Sequence, residues 1–412
     1  AGLCLGSSSW DGTSRLWDSI SGHQLMRFDG VFSNFNVDGT RIAIQKGLEL
    51  SISEVVLPSS HRWLSRGMTC SVSIATGGRL MASCHDDGVR LWDLERLVEL
   101  AHLPIGIIHG VAFHPSLNGL LIASEKGLFQ FPIHSTNDNS GTVIQFGTPS
   151  SVEESLRNLR SVHLSSDGKA MVADAFYRND PWLFAKTEVG WQRRQLHNGN
   201  MSREFGGSNT SMVALSADGQ WAAASSNGIV RIWQADTGLQ VADLSTNVGE
   251  ISNSLAGPIC FSPDSRTLIT ISSSQLQIWD VASWTLRNAV SFEGETPWVV
   301  AFTPDNQMAA VSIWGVGITL IDVQAGRRVG MLDMPERPPV HVDLKFTQDG
   351  SQLVAAADHS GCCVWDIRAM REQLAAMGLD WNQTPLSERN TVKAKTSMRV
   401  EFNRNDLAPF AK

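Results

Sequence analysis

The chain is poor in the residues that several familiar chemistries need. Six cysteines in 412 residues are too sparse for a disulfide scaffold. None stands in C-x-x-C spacing, which excludes the usual four-cysteine or two-cysteine, two-histidine zinc site. Cys4, Cys70, Cys84 and Cys260 lie in strand-like contexts that suit buried thiols, and the adjacent Cys362 and Cys363 would point to opposite faces of a strand. Positive charge is also short. There are 33 basic against 41 acidic side chains, a net charge of −8, so the chain does not draw in phosphate backbones and nucleic acid is not an expected partner. The pairs Arg193-Arg194 and Arg327-Arg328 are too short to make a basic patch. No apolar run reaches the roughly 18 residues that cross a bilayer, so direct membrane insertion is not expected. The opening AGLCLGSSSWDG has no charged region, apolar core or cleavage site of a signal peptide.

Catalytic motifs are missing as well. There is no H-R-D loop, D-F-G or Gly-rich loop followed by a lysine strand, and His61-Arg62-Trp63 lacks the Asp. No G-x-x-x-x-G-K-[ST], G-x-S-x-G or H-E-x-x-H occurs. His85-Asp86-Asp87 is the densest polar cluster, yet it falls at a tight turn, where Asp is favoured for backbone reasons. No catalytic residue, metal or cofactor is therefore expected.

What the chain does have is repetition. With 42% hydrophobic and 18% charged residues it is globular, and its length is too great for one ordinary core but normal for a repeat fold. An apolar strand, a turn rich in Asp, Gly and Pro, and a second apolar strand recur as NVDG (36–39), IATGG (74–78), FHPSLNG (113–119), LSSDG (164–168), LSADG (215–219), FSPDS (261–265), FTPDN (302–306) and FTQDG (346–350). The period is about 40 to 50 residues, near that of four-stranded propeller blades. About 20 to 30 residues after each turn comes a strand that closes on Trp-Asp or its relic, as in SSSWDGTSRLWD (7–18), SCHDDGVRLWD (83–93), SSNGIVRIWQ (225–234), SSSQLQIWD (272–280), GVGITLID (315–322) and ADHSGCCVWD (357–366). Such a blade needs tight Asp-Gly and Asn-Gly turns. Its middle strands, covered on both faces, read as apolar and small.

These marks resemble the WD40 repeat family over nearly the whole chain. The resemblance implies an all-β fold, a propeller of four-stranded blades. The chain opens with a partial blade lacking its innermost strand (1–30), followed by eight repeat units (31–375, from 31–66 to 339–375). The ring then holds either seven or eight blades, with the first one or two units assigned to a preceding ring in the first case. A helix near Ile367–Met377 with Gly378 as its cap follows, and the closing region 376–412 carries a strand, TSMRVEF (396–402), expected to complete the last blade as a latch. The start inside a blade suggests a piece of a longer polypeptide, in which the propeller would be monomeric.

In the family a Ser or Thr, the turn Asp and the Trp form a hydrogen-bonded set with a His from a Gly-His pair. Carried over, Ser9, Asp11 and Trp17 match, as do Ser225, Asn227 and Trp233. Trp92-Asp93, Trp279-Asp280 and Trp365-Asp366 mark the other blades, while the Gly-His pairs are absent. All of these read as structural. Partners are expected on the ring face that carries the second-to-third strand turns, presenting Trp10, His85, Asp86, Lys126, Tyr177, Arg178, Trp314 and His359, because exposed Trp, Tyr and Arg concentrate binding energy. The ending, WD followed by REQLA, GLDW and RVE, is similar to C-terminal WD40 regions of planctomycete-type bacterial proteins, many with a serine/threonine kinase domain upstream. The resemblance implies a non-catalytic scaffold or sensor region binding a protein or peptide. It could serve a bacterial signalling protein in the cytoplasm or outside the membrane of an anchored parent. The alternatives are an accessory region of a kinase and a propeller enzyme with a pocket in its central channel.

Overall fold

The computed structural model describes residues 4–18, 24–36, 41–54, 61–65, 67–138, 141–175, 181–196, 212–226, 228–246, 257–272, 275–292, 294–332, 341–358, 361–376 and 397–407. Strand pairing sorts the chain into sheets that follow one another in sequence. Seven of them are blades I to VII, at residues 69–103, 108–153, 159–195, 212–245, 259–291, 297–332 and 341–366. Within a blade the strands run antiparallel from the innermost outward.

Blade VII supplies only three strands of its own. Its outer strand is His61–Trp63, which pairs antiparallel with Gly361–Asp366, placing Trp63 opposite Cys363 and His61 opposite Trp365. The innermost strands of blades VII and I also meet. Asp343 Oδ2 accepts from Ser71 Oγ at 3.1 Å and from the Val72 amide at 3.0 Å. The ring therefore closes on seven blades. His61–Trp63, read from sequence as the end of the unit 31–66, belongs to the far end of the chain.

The strand Ser397–Phe402 does not complete blade VII, because His61–Trp63 already occupies that edge. It pairs in parallel with Gly141–Phe146, in the sheet of blade II. The irregular sequence there has a structural cause. Gly127–Asp138 is a 12-residue strand. Its first half pairs with Ser150–Glu153, the ordinary outer position, and its second half pairs with Gly141–Phe146 and carries the C-terminal strand. Two further three-stranded sheets, at residues 4–29 and 31–54, precede the ring.

The turns between first and second strands of blades III to VII share one hydrogen-bond scheme. In blade III, Ser165 Oγ donates to Asp167 at 2.7 Å, Asp167 accepts the Lys169 amide at 2.9 Å, and Ser165 Oγ accepts the Ala170 amide at 3.0 Å. The same hydroxyl-to-carboxylate bond recurs as Ser216–Asp218, Ser262–Asp264, Thr303–Asp305 and Thr347–Asp349. The residue after the Asp takes positive φ, and Gly168, Gly219 and Gly350 meet that need without steric cost. Ser265 and Asn306 take it too, at φ 61 and 62. Each side chain there accepts an amide from the preceding blade's turn, Asp218 at 3.0 Å and Asp264 at 3.1 Å, which offsets the strain.

The cores lie between blades. Leu276, Ile278 and Phe292 of blade V pack on Val300, Ala309 and Val311 of blade VI, and Ala310 and Leu320 of blade VI on Leu353 and Ala355 of blade VII. The strands Leu80–His85, Gly119–Ser124 and Met308–Ile313 are buried at every position. The helix α1 (Ile367–Ala376) starts where the strand Gly361–Asp366 stops. Asp366 Oδ1 accepts the Ala369 amide at 2.9 Å, an N-cap, and Ile367 and Met370 pack into the blade VI–VII core.

Trp63 is buried in that core. Trp63→Ala should lower the unfolding free energy by about 3 kcal/mol or more, as for other buried aromatics, and loosen the ring closure. The exposed Trp10→Ala should cost within about 0.5 kcal/mol. Denaturant titration of both variants against the parent chain measures the difference.

Candidate functional site

The tryptophans that close third strands are fixed by register. In three of them the indole N–H reaches a hydroxyl two residues beyond the Trp's partner on the second strand. Trp92 lies opposite Met81 and donates to Ser83 Oγ at 2.8 Å, Trp279 lies opposite Leu268 and donates to Thr270 Oγ1 at 2.9 Å, and Trp17 lies opposite Leu5 and donates to Ser7 Oγ at 2.7 Å. The partner of Trp17 is thus Ser7, not Ser9. Ser9 Oγ instead accepts the Asp11 amide at 3.4 Å, and Asp11 accepts from the Thr13 amide and hydroxyl, which holds its carboxyl down at about 2.

The same register puts Ala224 near Trp233 and Ala355 near Trp365, where no hydroxyl exists. Ser225 donates to the Gly257 carbonyl at 2.6 Å. Trp365 Nε1 is buried without a hydrogen-bond partner among the described residues, and its ring stacks on His61 at 4.6 Å. The Asp after each Trp serves the following turn. Asp280 accepts the Ser283 amide at 3.0 Å, and the buried Asp93 accepts the Glu95 amide at 3.0 Å while pairing with Arg79 at 2.7 Å.

His85 belongs to this internal set. It is 2% exposed and shares a 2.9 Å hydrogen bond with Ser83 Oγ, so it is not presented on the ring face. Burial, with Arg90 adding, pushes its imidazole down to about 4. Blade I therefore has its histidine without a Gly-His pair, supplied by the end of its own second strand.

The second-to-third strand turns of four adjacent blades form a continuous arc. In blade VI, Trp314 is 51% exposed and packs edge-on against Trp298 at 5.2 Å, and its amide donates to the Thr296 carbonyl at 2.8 Å. Blade VII follows with Asp358, blade I with the exposed Asp86 and Asp87, and blade II with exposed Glu125 and half-buried Lys126. Asp358 and Asp86 both act on Cys70 at the start of the innermost strand of blade I, adding to the burial that raises its thiol to about 11. Asp87 pairs with Arg90 at 2.7 Å.

Trp10 is fully exposed, but in the turn of the N-terminal sheet and not on the ring. Tyr177, Arg178, Asn227 and His359 lie outside the described residues. Trp298 was missed from sequence. Its only local sign is a Trp after Pro297 where other blades open their innermost strand with smaller residues.

Deeper in the channel, Lys345 Nζ holds Asp343 Oδ1 at 3.0 Å. Burial opposes the ammonium charge, but Asp343 outweighs it and raises the lysine pKa. Its side chain keeps 42% of its surface accessible. His163 is pushed down to about 4 by burial, with Lys345 adding to the shift. Burial likewise raises the Cys260 thiol. Asp174, fully enclosed, is held by Arg160 and Ser161. Among the described residues no three His, Cys, Asp or Glu side chains are grouped to hold a metal ion. A groove of ≈ 770 Å³ lies on the outer rim, between His102 and Pro104 of blade I and Val400, Phe402 and Leu407 of the C-terminal segment.

Ser83→Ala should cost about 1–3 kcal/mol, because it strands the Trp92 indole and His85 together, and thermal or denaturant unfolding measures it. The histidines set a pH dependence. An unfolded imidazole protonates near 6.5, while His163 and His85 resist protonation until about 4. Between these values the unfolded chain binds more protons, so stability is complete above 6.5 and falls as pH drops toward 4. Denaturant midpoints across this window should show that slope, and His163→Gln should flatten it.

A protein-family model described as WD domain, G-beta repeat matches residues 199–234. An uncharacterized WD repeat-containing protein of Synechocystis sp. is 27% identical over 180 residues, 42% of this chain and 47% of that protein. Pre-mRNA-processing factor 19 homolog 2 of Arabidopsis thaliana is 28% identical over 196 residues, 41% of this chain and 37% of its own length. The chain therefore spans less than half the length of these curated relatives. The β-propeller domain of Cps50 (Swd1) from Myceliophteria thermophila superposes with a TM-score of 0.56 at 16% identity, over 74% of this chain and 99% of that one, a likeness of fold. Together with the closed ring and its Trp-Asp strands, these matches support a WD40-type β-propeller fold, with a WD repeat matched at residues 199–234.

Proposed function

We propose that this propeller is a non-catalytic scaffold that docks a protein or peptide segment on the arc running from Trp314 to Lys126. WD40 propellers typically serve protein interaction, and their fold is generally non-catalytic. The observation that carries the reading is the Trp314–Trp298 pair, a large apolar surface held in place from beneath and left open above. An edge-packed indole loses little freedom on binding, which suits an anchor. The neighbouring Asp358 and Asp86 favour a partner that brings Lys or Arg beside its apolar contact, and charge of this kind steers encounter and orientation. No described helix is long and apolar enough to cross a membrane.

The place of the propeller in a larger protein is a second part of the proposal. The similarity of its WD-helix-GLDW-RVE ending to bacterial WD40 regions supports a sensor or scaffold role in a bacterial signalling protein. A serine/threonine kinase domain in the same polypeptide is the companion this favours.

The test is affinity capture from a bacterial lysate with the chain, with Trp314→Ala and with Trp10→Ala, read by quantitative mass spectrometry. A specific partner should be recovered equally by the parent and Trp10→Ala, and at least ten-fold less by Trp314→Ala, about the loss of one interface hot spot. Equal recovery by all three would remove the arc from the interaction.

A further inference from the structure

The two sheets ahead of the ring can be placed by their register shifts. In five of the seven blades the pairing of the innermost with the second strand slips near its start, at Thr69/Val72, Ile108/Gly110, Leu159/Ser161, Pro297/Val299 and His341/Asp343. In four of the seven the pairing of the third with the outer strand slips just before the Trp position, at Leu91/Trp92, Ile232/Trp233, Ile278/Trp279 and Leu320/Ile321. Such bulges are fixed features of a strand's place in its sheet.

The sheet 4–29 has the second kind of slip, at Leu16/Trp17, between Thr13–Asp18 and Gln24–Asp29. Its strands are therefore the second, third and outer strands of a blade. The sheet 31–54 has the first kind, at Phe32/Asn34, between Val31–Phe35 and Arg41–Lys46. Its strands are the first, second and third of the next blade. The two stack as neighbours, since the Phe32 amide donates to Ser14 Oγ at 2.8 Å and a Cβ on Gly6 would fall 2.6 Å from the Phe32 ring.

Glu49–Glu54 is thus a third strand whose outer edge has no partner among the described residues, which is the state of Gly361–Asp366 without His61–Trp63. Third strands in the ring are largely buried, whereas Leu50 and Ile52 here are 66% and 70% exposed. A second copy of the chain is a poor cover. Antiparallel pairing of two ELSISE edges sets Glu49 against Glu54 at both ends, and like charges placed opposite each other destabilise a sheet.

We infer that residues 4–54 form the last two blades of a second propeller ring, and that the Glu49–Glu54 edge takes its outer strand from polypeptide that precedes residue 1. The seven-bladed ring closes in just this way, with a strand drawn from immediately ahead of its first blade. The closing strand would carry apolar residues against Leu50 and Ile52 and basic residues toward Glu49 and Glu54.

Hydrogen–deuterium exchange over 49–54 tests this on two proteins, the chain 1–412 and the same chain extended by the sequence ahead of Ala1 in its gene. At least ten-fold slower exchange in the longer protein, with no change over Met308–Ile313, is the expected result. Equal exchange in the two overturns the inference. So does protection in the shorter chain that grows with concentration alongside a dimer mass, which would assign the edge to a second copy, and so does a gene with no blade-forming sequence ahead of Ala1.

Discussion

The ring depends on one long-range pairing, that of His61–Trp63 with Gly361–Asp366. Apart from the C-terminal strand added at the rim of blade II, the other blades are built from strands close in sequence, and their loops cost little to close. Blade VII takes its own outer strand from a segment some 300 residues away. Without it, Gly361–Asp366 would be an open edge with unpaired backbone groups, and the blade VI–VII core would lose Trp63. The innermost strands reinforce this join. Asp343 ties Lys345 on its own strand to Ser71 and Val72 of blade I, so both the inner and outer margins of blade VII are cross-linked by polar contacts. Each interaction is modest. They sit where the two ends of the seven-bladed array meet.

The Asp that ends the third strand shows how one local bond is used for two outcomes. Asp280 and Asp322 accept the amide three residues on and so shape a turn into the fourth strand. Asp366 accepts the Ala369 amide in the same way, but the residues beyond it, Arg368 to Ala376, are good helix formers. The bond that elsewhere closes a turn here caps a helix. Blade VII has no local fourth strand to enter, since its outer position is filled by His61–Trp63, and the helix covers the core beside that strand.

Local chemistry was readable in the sequence and long-range register was not. The Ser/Thr-x-Asp turns, the Trp-Asp strands and helix α1 all depend on residues within about ten positions, and all are found where the residues predict them. The assignment of Ser9 to Trp17 failed because the hydroxyl is chosen by cross-strand register, which points to Ser7 and also explains why Trp365 finds only Ala355. The strand 397–402 was sent to the wrong blade because nothing in its own residues tells an open edge from an occupied one. His85 reads as a surface turn residue by its neighbours Asp86 and Asp87, yet the strand end turns it inward to Ser83.

The two faces of the ring differ in how far their turns repeat one another. On the face of the first-to-second strand turns, the hydroxyls and carboxylates of blades III to VII are bonded to their own turn in one repeated pattern, and Ser265 and Asn306 tie neighbouring turns together. Repetition there serves rigidity, and a partner would find similar, internally satisfied groups from blade to blade. On the opposite face each turn carries different residues: Asp86-Asp87, Glu125-Lys126, Trp314-Gly315 and Asp358. Variation between blades on a rigid frame is what a recognition surface requires, because specificity comes from an arrangement of unlike groups held in fixed positions. The repeat thus builds the frame with one face and leaves the other to carry the differences.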